Sequence, residues 1–373
     1  MNYSRRDFGK LALVGLPAAA ILGRSGMMFA GAQQSPKPNS KIDGVQIGTI
    51  TYSYRSMPDQ SAEATLRYVV DSGISAIELM GAPAMDYAYK RTGFTPPAAA
   101  GRGGGAARGG AAAAAPAAET TVPPGSWHGQ PCPAGRVGGA GGGGGRGAAA
   151  PTAEQQAAAA ELRKWQQGVS MDIFKDLKKM YNDAGVTIYA VKNLNVNGTD
   201  EDLDFQFTVG KTLGASHITT ELPVHSDTST ATLKRVGDMA LKHGMFAAYH
   251  THAQGSMTIF DEAFAASMGN KSNVDLGHFV AGGDKGGTPL DFLNKFHARI
   301  ASFHLKDRTL PAHCSLNLPW GEGETPIKEI LQLVKKNQWP LPASIEQEYA
   351  IPPGSDAVKE VAKCLAYCRQ CLA

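Results

Sequence analysis

Four residues able to hold a metal or move a proton close four apolar runs in the second half of the chain. They are Glu221 in SHITTEL, Asp275 in SNVDLGH, His304 in IASFHLKDR and Glu346 in PASIEQE. Two glutamates, an aspartate and a histidine arriving from separate strands converge at a cost unless a positive charge sits among them. Oxygen donors with one imidazole suit a single divalent cation, Mn2+, Mg2+, Co2+ or Zn2+, rather than a thiolate-seeking metal. An isolated strand-end Glu is ordinarily solvated or paired with Lys. It is the repetition at four strand ends that points to chemistry.

Elements must bring those residues together, and eight strand-like runs are present: 45–54, 74–80, 186–193, 214–222, 245–252, 272–278, 300–306 and 342–348. Amphipathic stretches separate them at 61–72, 154–184, 201–213, 230–243, 326–338 and 355–372, with shorter ones near 261–268 and 289–298. Strands alternating with helices argue for a parallel sheet, and this number favours a closed (β/α)8 barrel. A doubly wound sheet would usually carry a Gly-rich phosphate loop after its first strand, and ITYSYRSMPDQ contains none. Strand side chains alternate between faces. Period two groups His217, Thr219 and Glu221; His250 and His252; Ser302, His304 and Lys306; Ser344, Glu346 and Glu348; and Ala76 and Glu78 as inward sets. The last polar member of each set falls near the barrel mouth, where the active sites of such folds form.

Residues 95–152 depart from the pattern, being Ala, Gly and Pro with scattered Arg. Such a composition cannot bury enough apolar area to offset chain entropy, and it predicts a disordered insertion after the second strand. A tolerated surface insertion is the plainer reading, a lid the more interesting one. The island VPPGSWHGQPCP at 122–133 has the composition to dock, with His128 solvated.

The N-terminus reads SRRDFGK, then a weakly apolar run from Leu11 to Gly23, then AGA at Ala30–Ala32. This predicts a twin-arginine export signal over 1–32, a linker over 33–41 and a barrel domain over 42–373. The run is shorter than the roughly 20 residues of an ordinary membrane span. A periplasmic or exported location follows, with membrane contact through the export signal alone. The route carries folded proteins, so a metal can be loaded first. The 373 residues are 43% hydrophobic and 18% charged, which suits a globular core. The net charge of +3 resides in the export segment, where Arg5, Arg6, Lys10 and Arg24 face one Asp7. The remainder carries no basic footprint for nucleic acid. Cys364, Cys368 and Cys371 share one face of a predicted C-terminal helix and read as small packed residues, and no disulfide network is implied by the five cysteines.

The order Glu221, Asp275-x-x-His278, His304 followed by LKDR, and Glu346 resembles the xylose isomerase-like sugar phosphate isomerase/epimerase family, TIM barrels related to endonuclease IV-type enzymes. YHTH, FHLKD, WGEGETPI and IEQE are similar to its strand regions. The likeness spans about 42–370 apart from the insertion. It implies one divalent metal on Glu221, Asp275, His304 and Glu346, with His278 touching substrate. It also implies a metal-stabilised enediolate, formed when a carboxylate removes the proton beside a polarised carbonyl. Glu221 and Glu346 are then the acid–base pair. His250, His252, Lys306 and Arg308 are candidate substrate-binding groups, although Lys306 and Arg308 have Asp307 and Glu348 as possible ion-pair partners.

The expected activity is isomerisation or epimerisation of a carbohydrate. The runner-up is elimination or hydration of a keto-sugar or keto-glycoside through the same enolate. Phosphodiester hydrolysis would need more metals and a basic groove. A sugar-binding barrel without turnover would not need both glutamates. The sequence leaves a homo-oligomer open.

Overall fold

The computed structural model describes residues 37–98, 126–128, 130–132, 152–192, 194–223, 229–283 and 286–373. The export signal expected over 1–32 and most of the insertion over 95–152 lie outside the described residues.

Eight strands form the sheet: β1 (Val45–Ile50), β2 (Ala76–Met80), β3 (Thr187–Lys192), β4 (His217–Glu221), β5 (Phe246–His250), β6 (Asn270–Asp275), β7 (Ile300–Leu305) and β8 (Ala343–Ile345). Each pairs in parallel with the next, and β8 pairs in parallel with β1, so the sheet closes on itself. The strands read as β-branched and aromatic runs because they are covered on both sides. This is the (β/α)8 barrel that the alternation predicts. At its far end, Lys41–Ile42 folds back antiparallel on β1 through a turn in which Asp43 and Gly44 take φ of 46° and 88°.

Helices fill the connections: α1 (Ala62–Asp71), α2 (Gly81–Thr92), α3 (Ala153–Gly168), α4 (Asp172–Asp183), α5 (Asp200–Leu213), α6 (Ser229–Lys242), α7 (Asp261–Ala266), α8 (Leu276–Ala281), α9 (Pro289–Phe296), α10 (Ile327–Asn337) and α11 (Ala357–Leu372). Local chemistry starts several of them. Thr199 and Asp202 make a capping box at α5, and Thr288 and Asp291 make one at α9, where Pro289 takes the first turn. Phe174, Leu177 and Tyr181 of α4 and Ile330, Leu331 and Val334 of α10 pack with Ile77, Phe303, Leu305 and Ile345 in the core between helices and sheet.

The strand expectations run longer than the strands themselves, and at three of them the difference bears on the site or on the entry to it. The first strand stops at Ile50 and continues as a 3-10 turn over Thr51–Tyr54. The run 272–278 is strand only to Asp275, whose side chain caps α8 by accepting the backbone N–H of His278 at 2.7 Å. The last strand ends at Ile345, so Glu346 and Glu348 stand just beyond it. The stretch 154–184 divides into α3 and α4, since Val169 takes an extended conformation after Gly168.

One disulfide is present. Cys132 is bonded to Cys314 across 182 residues, with Cα atoms 5.2 Å apart. It fixes the small ribbon of Ser126–Trp127 and Gln130–Pro131 to the loop after β7, and the Trp127 ring lies 5.6 Å from that of His313. Sequence spacing carries no signal for a pairing so distant. Cys364, Cys368 and Cys371 are buried free thiols on α11.

Candidate active site

The strand ends of β5 to β8 converge. His250 closes β5, Asp275 closes β6, His304 is the penultimate residue of β7, and Glu346 follows β8. All four are buried, and each offers one ligand atom such that the four atoms lie within 4.8 Å of one another. His304 Nδ1 is 2.7 Å from Glu346 Oε2, and its Nε2 is 2.8 Å from Glu78 Oε2. Burial works against a charged imidazole, yet the two carboxylates outweigh it and push the His304 pKa up to about 10.

Lys306, the residue after β7, sends its ammonium into the same space. Nζ is 3.0 Å from Asp275 Oδ2, 3.0 Å from Glu346 Oε2 and 2.6 Å from Glu348 Oε2. Its own pKa rises because these three carboxylates overcome the penalty of burial. The two inner carboxylates respond differently. Burial raises Asp275 against the pull of Lys306 and His304, and the like charge on Glu346 adds to the rise. Burial would raise Glu346 too, but Lys306 and His304 together hold it well below the usual range.

The two histidines of the group are set from behind. Asn273 of β6 donates from Nδ2 to Ser302 Oγ at 2.7 Å and to Glu78 Oε2 at 3.4 Å. Its Oδ1 then accepts from His250 Nδ1 at 3.1 Å, which leaves the His250 Nε2 lone pair free of a proton. Burial, with Lys192 and His304 nearby, holds the His250 pKa well below 6.5, so this neutral form persists.

Glu221 stands apart from that group. It is the rung partner of His250 in the β4–β5 pairing, but its side chain is 51% exposed. Its carboxylate accepts from Lys192 at 3.0 Å and lies 3.4 Å from His252 Nδ1. His252 lies in the loop beyond β5, its ring 5.0 Å from that of His250 and 4.9 Å from that of His278. His278, on the first turn of α8, accepts from the buried guanidinium of Arg308. Arg308 also donates to the Ser315 carbonyl at 2.5 Å. Burial, Lys306 and Arg308 keep His278 neutral, its pKa well below the usual value. Asp307 turns the other way and accepts the backbone N–H groups of Gly321, Gly323 and Thr325. Of the ion-pair partners open to Lys306 from sequence, Glu348 is the one it takes.

The structure thus brings Asp275, His304 and Glu346 together with His250, surrounds them with Lys306, Glu348, His252, His278 and Arg308, and leaves Glu221 on the rim. Period two finds the inward faces. It does not rank Glu78 among the site residues, nor does it reveal the supporting part of Asn273. Two carboxylates and two imidazoles fit a divalent cation, and Asp275 Oδ2, which meets Lys306 as an ion pair without an aligned hydrogen bond, keeps a lone pair for it.

A family model described as xylose isomerase-like TIM barrel matches residues 157–368. Solved structures agree on the fold. A xylose isomerase domain protein from Alicyclobacillus acidocaldarius superposes with a TM-score of 0.54 at 11% identity, covering 88% of this chain and 99% of that one. A sugar phosphate isomerase/epimerase from Parabacteroides distasonis gives 0.51 at 15% identity, covering 87% and 93%. A probable 3-DHS dehydratase of petrobactin synthesis from Bacillus anthracis gives 0.50 at 12% identity, covering 85% and 97%. No curated protein matches the chain.

Proposed function

Because the chain belongs to the xylose isomerase-like TIM barrel family, we propose that it is a divalent-metal-dependent sugar isomerase or epimerase working by proton transfer beside a carbonyl. The observation that carries this reading is the buried group of His250, Asp275, His304 and Glu346 at the strand ends. Asp275, His304 and Glu346 would hold the ion, with His250 as the fourth donor in place of Glu221. A divalent ion bound there would polarise the substrate carbonyl and acidify the adjacent C–H.

The remaining chemistry belongs to the side chains. Glu221, half-exposed at the rim beside His252, takes the proton from one face of the substrate. Glu346 serves the opposite face, or returns the proton to the neighbouring carbon. Lys306 offers N–H donors to the oxygen on which negative charge develops, since its ammonium already lies among acceptors at that point. His252 and His278 face one another across the mouth and hold substrate hydroxyls.

A carbohydrate substrate met after export, without a phosphate to anchor, completes the proposal. A second reading keeps every residue and changes the outcome. With a leaving group β to the carbonyl, the same proton abstraction ends in elimination, and the dehydratase among the similar folds supports keeping it. The test is a ketose and a 3-keto-glycoside, each incubated with Mn2+-loaded protein in D2O. Isomerisation incorporates deuterium beside the carbonyl without loss of the aglycone, whereas elimination releases it. Glu221→Gln and Glu346→Gln should each abolish exchange while leaving the fold intact. Full activity in both variants would refute the assignment.

A further inference from the structure

We infer that Glu78 is the positioning residue of the metal centre, fixing which nitrogens of His304 and His250 face the cation; this rests on the metal-dependent reading above. Glu78 lies mid-way along β2, is fully buried, and reaches neither solvent nor the mouth. Nothing in the proton-transfer scheme uses it, yet its carboxyl group lies in the dry barrel interior with donors on both oxygens. Each described hydrogen bond to it comes from a donor on another strand. Thr219 of β4 donates to Oε1 at 2.5 Å, Asn273 of β6 donates to Oε2 at 3.4 Å, and His304 Nε2 of β7 lies 2.8 Å from Oε2.

The consequence for His304 is a fixed tautomer. Without a metal, both ring nitrogens face carboxylates and the imidazolium donates to each. A cation seated among Asp275, Glu346 and His304 would take the place of the Nδ1 proton, while Nε2, locked against Glu78 inside the barrel, would keep its hydrogen and leave Nδ1 to supply the lone pair. The consequence for His250 runs through Asn273. Because Glu78 and Ser302 take the amide hydrogens of Asn273, the amide oxygen is turned toward His250 Nδ1, and His250 Nε2 is left as the acceptor. A single carboxylate therefore orients both imidazoles of the group. A metal-bound histidine held by a carboxylate through its other nitrogen is a general device for fixing ring orientation and raising ligand basicity.

Glutamine at this position tests the idea, because it is nearly the same size. With its oxygen accepting from Thr219, its amide N–H2 faces His304 and forces the hydrogen onto Nδ1. The Mn2+ dissociation constant is to be measured by titration calorimetry on wild type, Glu78→Gln, Glu78→Asp and Asp275→Asn, with thermal melting of each metal-stripped protein alongside. Glu78→Gln is expected to weaken Mn2+ binding roughly 10–100-fold. Glu78→Asp keeps the charge but withdraws it, and should fall between; it also carries the test if the Gln variant fails to fold. In Co2+-loaded protein the hyperfine-shifted Nε2–H resonance of His304 should be present in wild type and lost in Glu78→Gln, a change that weaker packing alone would not produce. If Glu78→Gln binds Mn2+ as wild type does while Asp275→Asn does not bind, the inference is overturned and the metal reading stands. If wild type itself takes up no Mn2+, both fall.

Discussion

Lys306→Met removes an ammonium shared by three carboxylates, with little change in side-chain length. In the structure that ammonium lies 3.0 Å from Asp275, 3.0 Å from Glu346 and 2.6 Å from Glu348. Asp275 is fully buried and Glu346 nearly so, and neither can recover the lost charge from water. Glu348 is partly exposed and can. Breaking a buried ion pair by deleting one partner costs about 3–5 kcal/mol, and that range is expected for metal-stripped protein in urea unfolding. His304 limits the loss, since its imidazolium still faces Glu346. Added Mn2+ supplies a positive charge at Asp275 and Glu346, and a ligand at a thousand times its Kd stabilises by roughly 4 kcal/mol. The variant should therefore gain more from Mn2+ than wild type does, because the ion no longer competes with an ammonium. A stripped variant within about 1 kcal/mol of wild type would show that the carboxylates do not depend on Lys306, the ordinary scatter of mild substitutions being of that size. An equal Mn2+ increment in both proteins would show that ion and ammonium do not share these carboxylates.

Other consequences are separable from this one. Burial lowers the pKa of His217 to about 4, so the fold favours its neutral form. Its contribution is complete above about pH 6.5 and is lost as pH falls toward 4, by about 3 kcal/mol in all, which His217→Gln should remove from the acid limb of a stability–pH curve. Reduction of Cys132–Cys314, or Cys314→Ser, should lower unfolding stability by about 2–4 kcal/mol while leaving far-ultraviolet dichroism of the barrel unchanged. Gly277→Ala would set a methyl group against Cγ and the carbonyl oxygen of Lys306. The expected cost is about 1–3 kcal/mol, with turnover falling because Lys306 is pushed from its carboxylates.

Much of the barrel is legible because its strands are short β-branched and aromatic runs between amphipathic stretches, and period two is preserved on each. Ser302 and His304, or His217 and Thr219, fall inward for that reason alone. Strand ends are less legible. Asp275 both finishes β6 and caps α8, so apolar character continues past the point where the conformation changes. The membership of the site depends on details that periodicity does not contain. Glu221 shares an inward set with Thr219, yet its side chain meets Lys192 at the rim. His250 enters the group through the orientation of one amide on the neighbouring strand. Glu78 reads from sequence as one inward acid among several; only the three-dimensional meeting of β2, β4, β6 and β7 gives it a task.

The bond between Cys132 and Cys314 also changes what a broken chain would mean. Arg136 and Arg146 lie between Cys132 and the start of α3, so a trypsin-like cut there divides the protein into a piece with β1 and β2 and a piece with β3 to β8. Neither piece could close a barrel by itself, but the disulfide would keep them as one molecule, migrating as one band until reduced and as two afterwards. Only cuts between Cys132 and α3 are bridged in this way; a cut at Arg102 or Arg108 would leave β1 and β2 on a piece with no covalent tie to the rest, so the two kinds of nick are told apart by a non-reducing gel.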